Sequence, residues 1–161
     1  MKIRMATESD LPALLAIYER ARAFMCETGN PTQWAGGYPS EKTVRDDLET
    51  QHLYAIEGDG GLCGVFAFFP EGDPAYDAMD ADWLNPLPYG AIHRVASAGT
   101  ERGVLGACVD YCLSVSQNLK IDTHKDNVPM QKALLKSGFI HCGTILLANG
   151  DPRLAFQRTD A

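Results

Sequence analysis

The sequence predicts a single α/β (α+β) domain, a mixed central sheet of about six to seven strands flanked by about four helices. Three observations predict it. The chain has 161 residues, one ordinary domain's worth, enough to bury its own core. Short apolar runs at strand spacing alternate with longer runs at helical spacing, in the order β-α-α-β-β-β-α-β-α-β-β. No internal repeat, low-complexity tract or linker divides residues 1–161.

Each element follows from local chemistry. Residues 2–6 read as the first strand. Thr7 can cap a helix, with Asp10 three residues on as a weaker capping box. Leu11, Leu14, Leu15, Tyr18 and Arg22 then fall near helical spacing, so a helix is predicted over 8–26. Glu27 to Ser40 is a loop, because its glycines and prolines stop regular structure. Ser40 caps a short helix to about Thr50, with Thr43 where a capping box prefers Glu. His52–Ile56 and Leu62–Phe69 form a hairpin around Glu57-Gly58-Asp59-Gly60-Gly61. Pro70–Pro88 is irregular, with one helical turn near Tyr76–Trp83. Tyr89–Ala96 is a strand, 101–118 an amphipathic helix, and Leu119–Thr123 a strand. Asn127–Ser137 is a helix ended by Gly138 as its C′ residue. Phe139–Leu147 and Arg153–Gln157 are strands around Asn149-Gly150-Asp151-Pro152.

Composition narrows the function classes. The chain is 45% hydrophobic and 22% charged, as soluble globular proteins are. No apolar run approaches the roughly 18 residues that span a bilayer, and the N-terminus lacks a secretory apolar stretch. A cytoplasmic protein without membrane attachment is expected. A net charge of −7 argues against nucleic-acid binding, which needs a basic face, and favours a cationic substrate such as an amine. The five cysteines (26, 63, 108, 112 and 142) show no zinc spacing. They read as buried, reduced thiols, and no metal is expected.

Residues 92–107, Ile-His-Arg-Val-Ala-Ser-Ala-Gly-Thr-Glu-Arg-Gly-Val-Leu-Gly-Ala, carry the most chemistry. They read as a strand, a turn holding Arg102-Gly103, and a helix start. A helix start leaves about four N–H groups without partners and carries partial positive charge. Glycine lets a ligand approach that backbone closely. Such a junction suits a phosphate or pyrophosphate. It lacks the Gly-Lys-Ser/Thr ending of a P-loop and the G-x-G-x-x-G of a dinucleotide site.

With Asp122–Gln131 and Leu135–Phe139, this stretch resembles the GCN5-related N-acetyltransferase superfamily over nearly the whole chain. The shared pattern is an Arg or Gln, two residues, Gly, one residue, then Gly or Ala after a strand, followed later by an Asn-containing helix ending in Gly-Phe. The resemblance implies a GNAT-like domain with acetyl-CoA as acyl donor. It implies main-chain pairing of the pantetheine arm with Val95, Ala96 and Ser97. It assigns the pyrophosphate to the turn Arg102, Gly103, Val104, Leu105, Gly106 and Ala107, and a contact with the cofactor arm to Asn127. Two positions depart from the pattern. Leu105 replaces the first motif glycine, with Gly106 one residue late. Leu134 stands where many members carry the tyrosine that protonates the leaving thiolate.

Amine acetylation needs a neutral amine, a polarised thioester carbonyl and a departing thiolate. Neutralising a lysine-like amine at pH 7 costs about 4–5 kcal/mol, so a positioned base helps. His93 is the candidate base. Strand alternation places it with Ala91 and Val95 on one face, and Ile92, Arg94 and Ala96 on the other. Arylalkylamine N-acetyltransferases, in the same superfamily, carry a catalytic histidine at the matching position. The alternative is a histidine satisfied by a neighbouring hydrogen bond. Tyr89, on the same face, is the candidate acid, or a packed ring with a tethered hydroxyl. Trp34 and Tyr38 are candidate walls of the acceptor pocket, or anchors of their loop. His124 reads as a polar loop residue, Arg94 as the partner of an acid across the sheet or a site for an acidic substrate group, and Asp77–Asp82 as a solvated acidic run rather than an amine trap. The reading is an acetyl-CoA-dependent N-acetyltransferase acting on a primary amine of a small molecule or peptide. Attack is direct, in a ternary complex. The alternative is a CoA-binding module with little or no catalysis. A monomer or a homodimer fits equally.

Overall fold

β1 (Lys2–Met5), β2 (Leu53–Gly58), β3 (Gly61–Phe69), β4 (Gly90–Ser97), β5 (Asn118–Thr123), β6 (Ile140–Leu146) and β7 (Pro152–Thr159) form one sheet in the computed structural model, which describes residues 1–160. The strand order is β1-β2-β3-β4-β5-β7-β6. Neighbours are antiparallel except β4 and β5, which run parallel. A parallel pair needs a long crossover, and here a helix supplies it. The mixed sheet matches the fold class read from the sequence.

Five helices decorate the sheet: α1 (Leu11–Glu27), α2 (Glu41–Glu49), α3 (Pro74–Asp77), α4 (Val104–Val115) and α5 (Val128–Lys136). Local chemistry sets their ends. The Thr7 N–H donates to Asp10 Oδ2 at 2.8 Å, ahead of a 3-10 turn that leads into α1. The Thr43 N–H donates to Ser40 Oγ at 3.2 Å, capping α2. α3 starts earlier than the helical turn expected near Tyr76–Trp83. Asp73 Oδ1 accepts the Ala75 N–H at 2.8 Å, and Pro74 fits a first helical position, where no N–H is needed. α4 is shorter than the predicted 101–118. Gly103 lies at φ +84°, outside helical space, and Ser116 has already turned extended to lead into β5.

α1 and α2 cover one face of the sheet, and α4 and α5 the other. Leu14, Tyr18 and Val44 pack with Val65 and Ala96 on the first face. Val104, Cys108, Cys112 and Leu134 pack with Phe66, Phe68 and Ile92 on the second. A third cluster, Tyr76 and Tyr89 with Ala91 and Ala155, extends the first face beneath α3. Cys63, Cys108, Cys112 and Cys142 are buried and free as expected, but Cys26, in the last turn of α1, is exposed.

Candidate active site

Strands β4 and β5 part almost as soon as they meet. Their pairing is limited to Gly90 with Leu119 and Ala91 with Lys120. Beyond Ala91, the β4 edge that faces β5 has no strand partner. On its other side β4 carries a bulge. Ala67 pairs with His93 and Val65 with Ala96, so Arg94 and Val95 together oppose Phe66. Arg94 takes φ +52°, an unusual conformation for a residue with a Cβ. The bulge overturns the simple alternation expected from the sequence. Ala91 and His93 keep the α1/α2 face, but Ala96 joins them there, under α1, while Val95 packs with Ile92 on the α4/α5 face.

The bulge is held from below. Tyr18, wholly buried on α1, donates its hydroxyl to the Arg94 carbonyl at 2.8 Å. The Arg94 guanidinium makes a two-pronged pair with the buried Asp47 of α2, at 2.7 and 2.8 Å, and donates to the Tyr38 hydroxyl at 3.0 Å. The acid expected to pair with Arg94 is thus on a helix.

The parted strands open into a cleft of about 890 Å³. Ile92, His93, Arg94 and Val95 line one wall, and Ile121, Asp122 and Thr123 another. Trp34 and Tyr38 close it from the α1–α2 loop, and Asn127 from the start of α5. Trp34 also anchors its loop, edge-on to Tyr18 at 5.7 Å and to Tyr38 at 6.4 Å. Trp34 thus both lines the cleft and anchors its loop.

His93 Nε2 lies 2.7 Å from Asp73 Oδ2. This contact holds the Asp73 carboxyl below the usual carboxylate range, against the opposing effect of its burial. The ring nitrogen left free is Nδ1. Tyr89 sits elsewhere. It is outside the cleft lining, and its hydroxyl shares its one proton between the Asp73 carbonyl at 2.8 Å and Asp77 Oδ1 at 2.9 Å while accepting the Asp73 N–H. Burial pushes that phenol up to about 12. Of the two readings of Tyr89, the geometry is that of the packed ring with a tethered hydroxyl, which fixes the turn bearing Asp73. Tyr76 does line the cleft, with its hydroxyl bonded to Asp122. Burial first, then Asp122, raises it well above an ordinary phenol.

Asn127 caps α5 through the Met130 N–H at 3.2 Å and donates to Gln33 Oε1 at 2.9 Å. His124 accepts the Asp126 N–H on Nδ1, which leaves the proton on Nε2 facing Thr32 Oγ1 at 3.1 Å. It is a turn residue, as expected. Of the acidic run, Asp77 is tied to Tyr89, and the Asp82 N–H donates to the Cys142 carbonyl at 2.8 Å, so the run is partly docked.

At the far end of β4 the chain turns into α4. The first α4-region amide to bond back is Ala107, to the Gly103 carbonyl at 3.0 Å. The amides of Val104, Leu105 and Gly106 precede it and have no intrahelical acceptor. Gly103, the N-cap, and Gly106, in the first turn, both face open space. Val104 is buried in the α4 core, and Leu105 packs against it. The Leu105 side chain is thus directed into packing, and Gly106 supplies bare backbone. Ala96 is buried and Ser97 Oγ accepts the Gly99 N–H at 3.0 Å. The guanidinium of Arg20 lies over Gly99, with Nε 3.4 Å from where a Cβ would sit.

Sequence reasoning missed Arg20, Asp47, Asp73, Tyr76, Asp122, Thr123 and Arg153. Asp73-Pro74 is a helix-start signal legible in the sequence. The others meet the site only through tertiary packing. Thr123 Oγ1, wholly buried on the cleft wall, has no hydrogen-bond partner among the described residues.

No family profile matches the sequence, and no curated protein matches it. Solved structures do. An acetyltransferase of the GNAT family from Streptococcus agalactiae is 29% identical, with a TM-score of 0.89 over 99% of this chain and 95% of that one. A putative acetyltransferase from Staphylococcus aureus is 22% identical, with a TM-score of 0.71 over 99% of both chains. A ribosomal-protein-alanine N-acetyltransferase from Brucella melitensis is also 22% identical, with a TM-score of 0.64 over 99% of both. The two more distant structures share the fold, and the nearer one shares sequence as well. Together with the parted strands and the order of motifs along the chain, they show that the chain has the fold of the GCN5-related N-acetyltransferase superfamily.

Proposed function

We propose that residues 1–161 form one acetyl-CoA-dependent N-acetyltransferase domain that acetylates a primary amine by direct attack in a ternary complex. The observation that carries this reading is the pairing of an open β4–β5 cleft with an uncovered helix start at the end of the same strand. The residues present fit the cofactor. Gly103 and Gly106 leave room over three unpartnered amides, and Arg102 and Arg20 bring positive charge to the turn. The amides from Arg102 to Ala107 would hold the diphosphate. The free β4 edge at Val95, Ala96 and Ser97 would pair with the pantetheine arm, and Thr123 Oγ1 offers a buried hydroxyl beside it. Bound there, acetyl-CoA supplies an activated acetyl thioester.

His93 acts as the base. With Asp73 accepting from Nε2, the imidazole lone pair is fixed on Nδ1, the atom that takes the amine proton. The Asp73 carboxylate also holds the ring in place through that contact. Main-chain N–H groups at the bulge can polarise the thioester carbonyl. Trp34 and Tyr38 wall the acceptor side. No cysteine lines the cleft, and burial raises the thiols of Cys63, Cys108 and Cys142, which suits direct transfer. Leu134 is buried in the core and Tyr89 is tied off, so water entering the cleft protonates the departing thiolate.

The test is calorimetry with acetyl-CoA, followed by thiol release on a panel of amines. Binding and turnover together support the reading. Binding without turnover on any amine favours a CoA-binding module. Thermal protection by ATP or NAD but not by CoA would overturn it.

A further inference from the structure

Arg153 lines the cleft without a paired carboxylate among the described residues; Asp151, which lines the same cleft, is not in salt-bridge contact with it. Arg153, on β7, is 7% exposed and lines the cleft. Its guanidinium makes two hydrogen bonds, to the Pro152 carbonyl at 2.9 Å and the Gln33 carbonyl at 3.4 Å. Neither acceptor is charged, and the group has five N–H donors. Among the described residues, no carboxylate lies within 4.0 Å of it. The contrast with Arg94 is direct: that arginine, in the same cleft, is saturated by Asp47. Burying a cation without a partner is costly, so a fold that keeps one is expected to offer it an anion at some stage of its work.

Its placement says which ligand. Leu154 and Phe156 of β7 pack on the α4/α5 face, whereas Ala155 belongs to the cluster on the opposite face. Alternation puts Arg153 with Ala155, on the same face as His93 and Asp73, the acceptor side of the cleft. The same pocket therefore presents a base with its carboxylate and a guanidinium without an ion-pair partner among the described residues. That pattern complements a molecule with an amine at one end and an oxyanion at the other.

We propose that the acceptor is an amino acid, and that Arg153 is a specificity-determining residue that binds its carboxylate while the amine meets His93. The proposal rests on the transferase reading above and extends it to the substrate class. A guanidinium pairs with a carboxylate through two parallel hydrogen bonds, which lysine cannot reproduce.

The experiment compares matched pairs: leucine with isoamylamine, and 6-aminohexanoate with hexylamine, each with acetyl-CoA. The wild type should prefer the carboxylate-bearing member by roughly 10- to 100-fold in kcat/KM, the worth of a charge-assisted bond. Arg153→Gln should abolish that preference mainly through KM, and Arg153→Lys should restore part of it. Unchanged acetyl-CoA affinity in both variants shows that they fold. Equal use of both members by the wild type, or a preference that survives Arg153→Gln, overturns the proposal. If no amine is acetylated, the transferase reading fails on its own. Calorimetry of the same acids and amines then decides Arg153: carboxylate binding lost in Arg153→Gln supports it, and no carboxylate binding by the wild type overturns it.

Discussion

Asp73 Oδ2 lies 2.7 Å from His93 Nε2, while Oδ1 of the same carboxylate caps α3. One side chain thus sets both the tautomer of the candidate base and the position of the segment beside it. His93→Gln should lower kcat by roughly 100-fold or more and leave acetyl-CoA affinity nearly intact. The shape of the pH–rate profile should change with it. Asp73→Asn should also slow turnover, because its amide can donate to Nε2 and so move the ring proton to Nδ1. A pH–rate profile unchanged in His93→Gln removes His93 as the base.

The bulge at Arg94 is expected to be a stability determinant as well as a shape determinant. Asp47→Ala leaves a buried guanidinium without its partner and should cost about 3–5 kcal/mol. Tyr18→Phe removes only the bond to the Arg94 carbonyl and should cost about 1–2 kcal/mol. Urea denaturation of the two variants measures both. Equal, small losses would mean that the bulge is held by strand pairing alone.

Gly64 sits beneath the start of α4. A Cβ there would lie 2.6 Å from Val104 Cγ1 and 3.3 Å from the Ala96 carbonyl oxygen. Gly64→Ala should therefore destabilise the protein by about 1–3 kcal/mol and weaken CoA binding by displacing the helix start. Gly106→Ala meets open space and should keep the fold, so any loss of CoA affinity there reports on the ligand directly. Calorimetry with CoA separates the two.

Stability should fall on acidification in two stages. Burial, aided by Arg153, lowers the His124 imidazole, and the His93 contact lowers the Asp73 carboxyl. In both cases the unfolded chain binds the proton more readily, so stability is lost as pH falls. The His124 contribution is whole above its unfolded value of about 6.5 and is lost as pH falls from there through its folded value. The Asp73 loss starts below about 3.9. Denaturation midpoints at pH 7 and pH 5 should differ less in His124→Gln than in the wild type. An identical difference in the two proteins contradicts this account.

Much of this was legible in the chain. Gly103 at the turn, Ser40 and Asn127 at helix starts, and the hairpin around Asp59-Gly60 are local signals, and the fold uses each as read. The face of each β4 residue was not legible, because a bulge at Arg94 adds one residue to the count and only the partner strand and Tyr18 reveal it. Between the two readings of Tyr89, an acid or a packed ring with a tethered hydroxyl, the sequence could not choose, for a related reason. Its face was read correctly, but its hydroxyl is claimed by Asp73 and Asp77, which a strand pattern cannot show. Arg153 and Asp47 enter the site from distant segments, and single-sequence spacing carries no such contacts.

A crystal structure with bound CoA tests the central claim most directly. The account predicts the diphosphate against the Arg102–Ala107 main chain and the sulfur between the parted strands, on the side from which His93 Nδ1 can reach an incoming amine. A cofactor seated away from that turn, or a cleft that stays closed to the pantetheine arm, contradicts it.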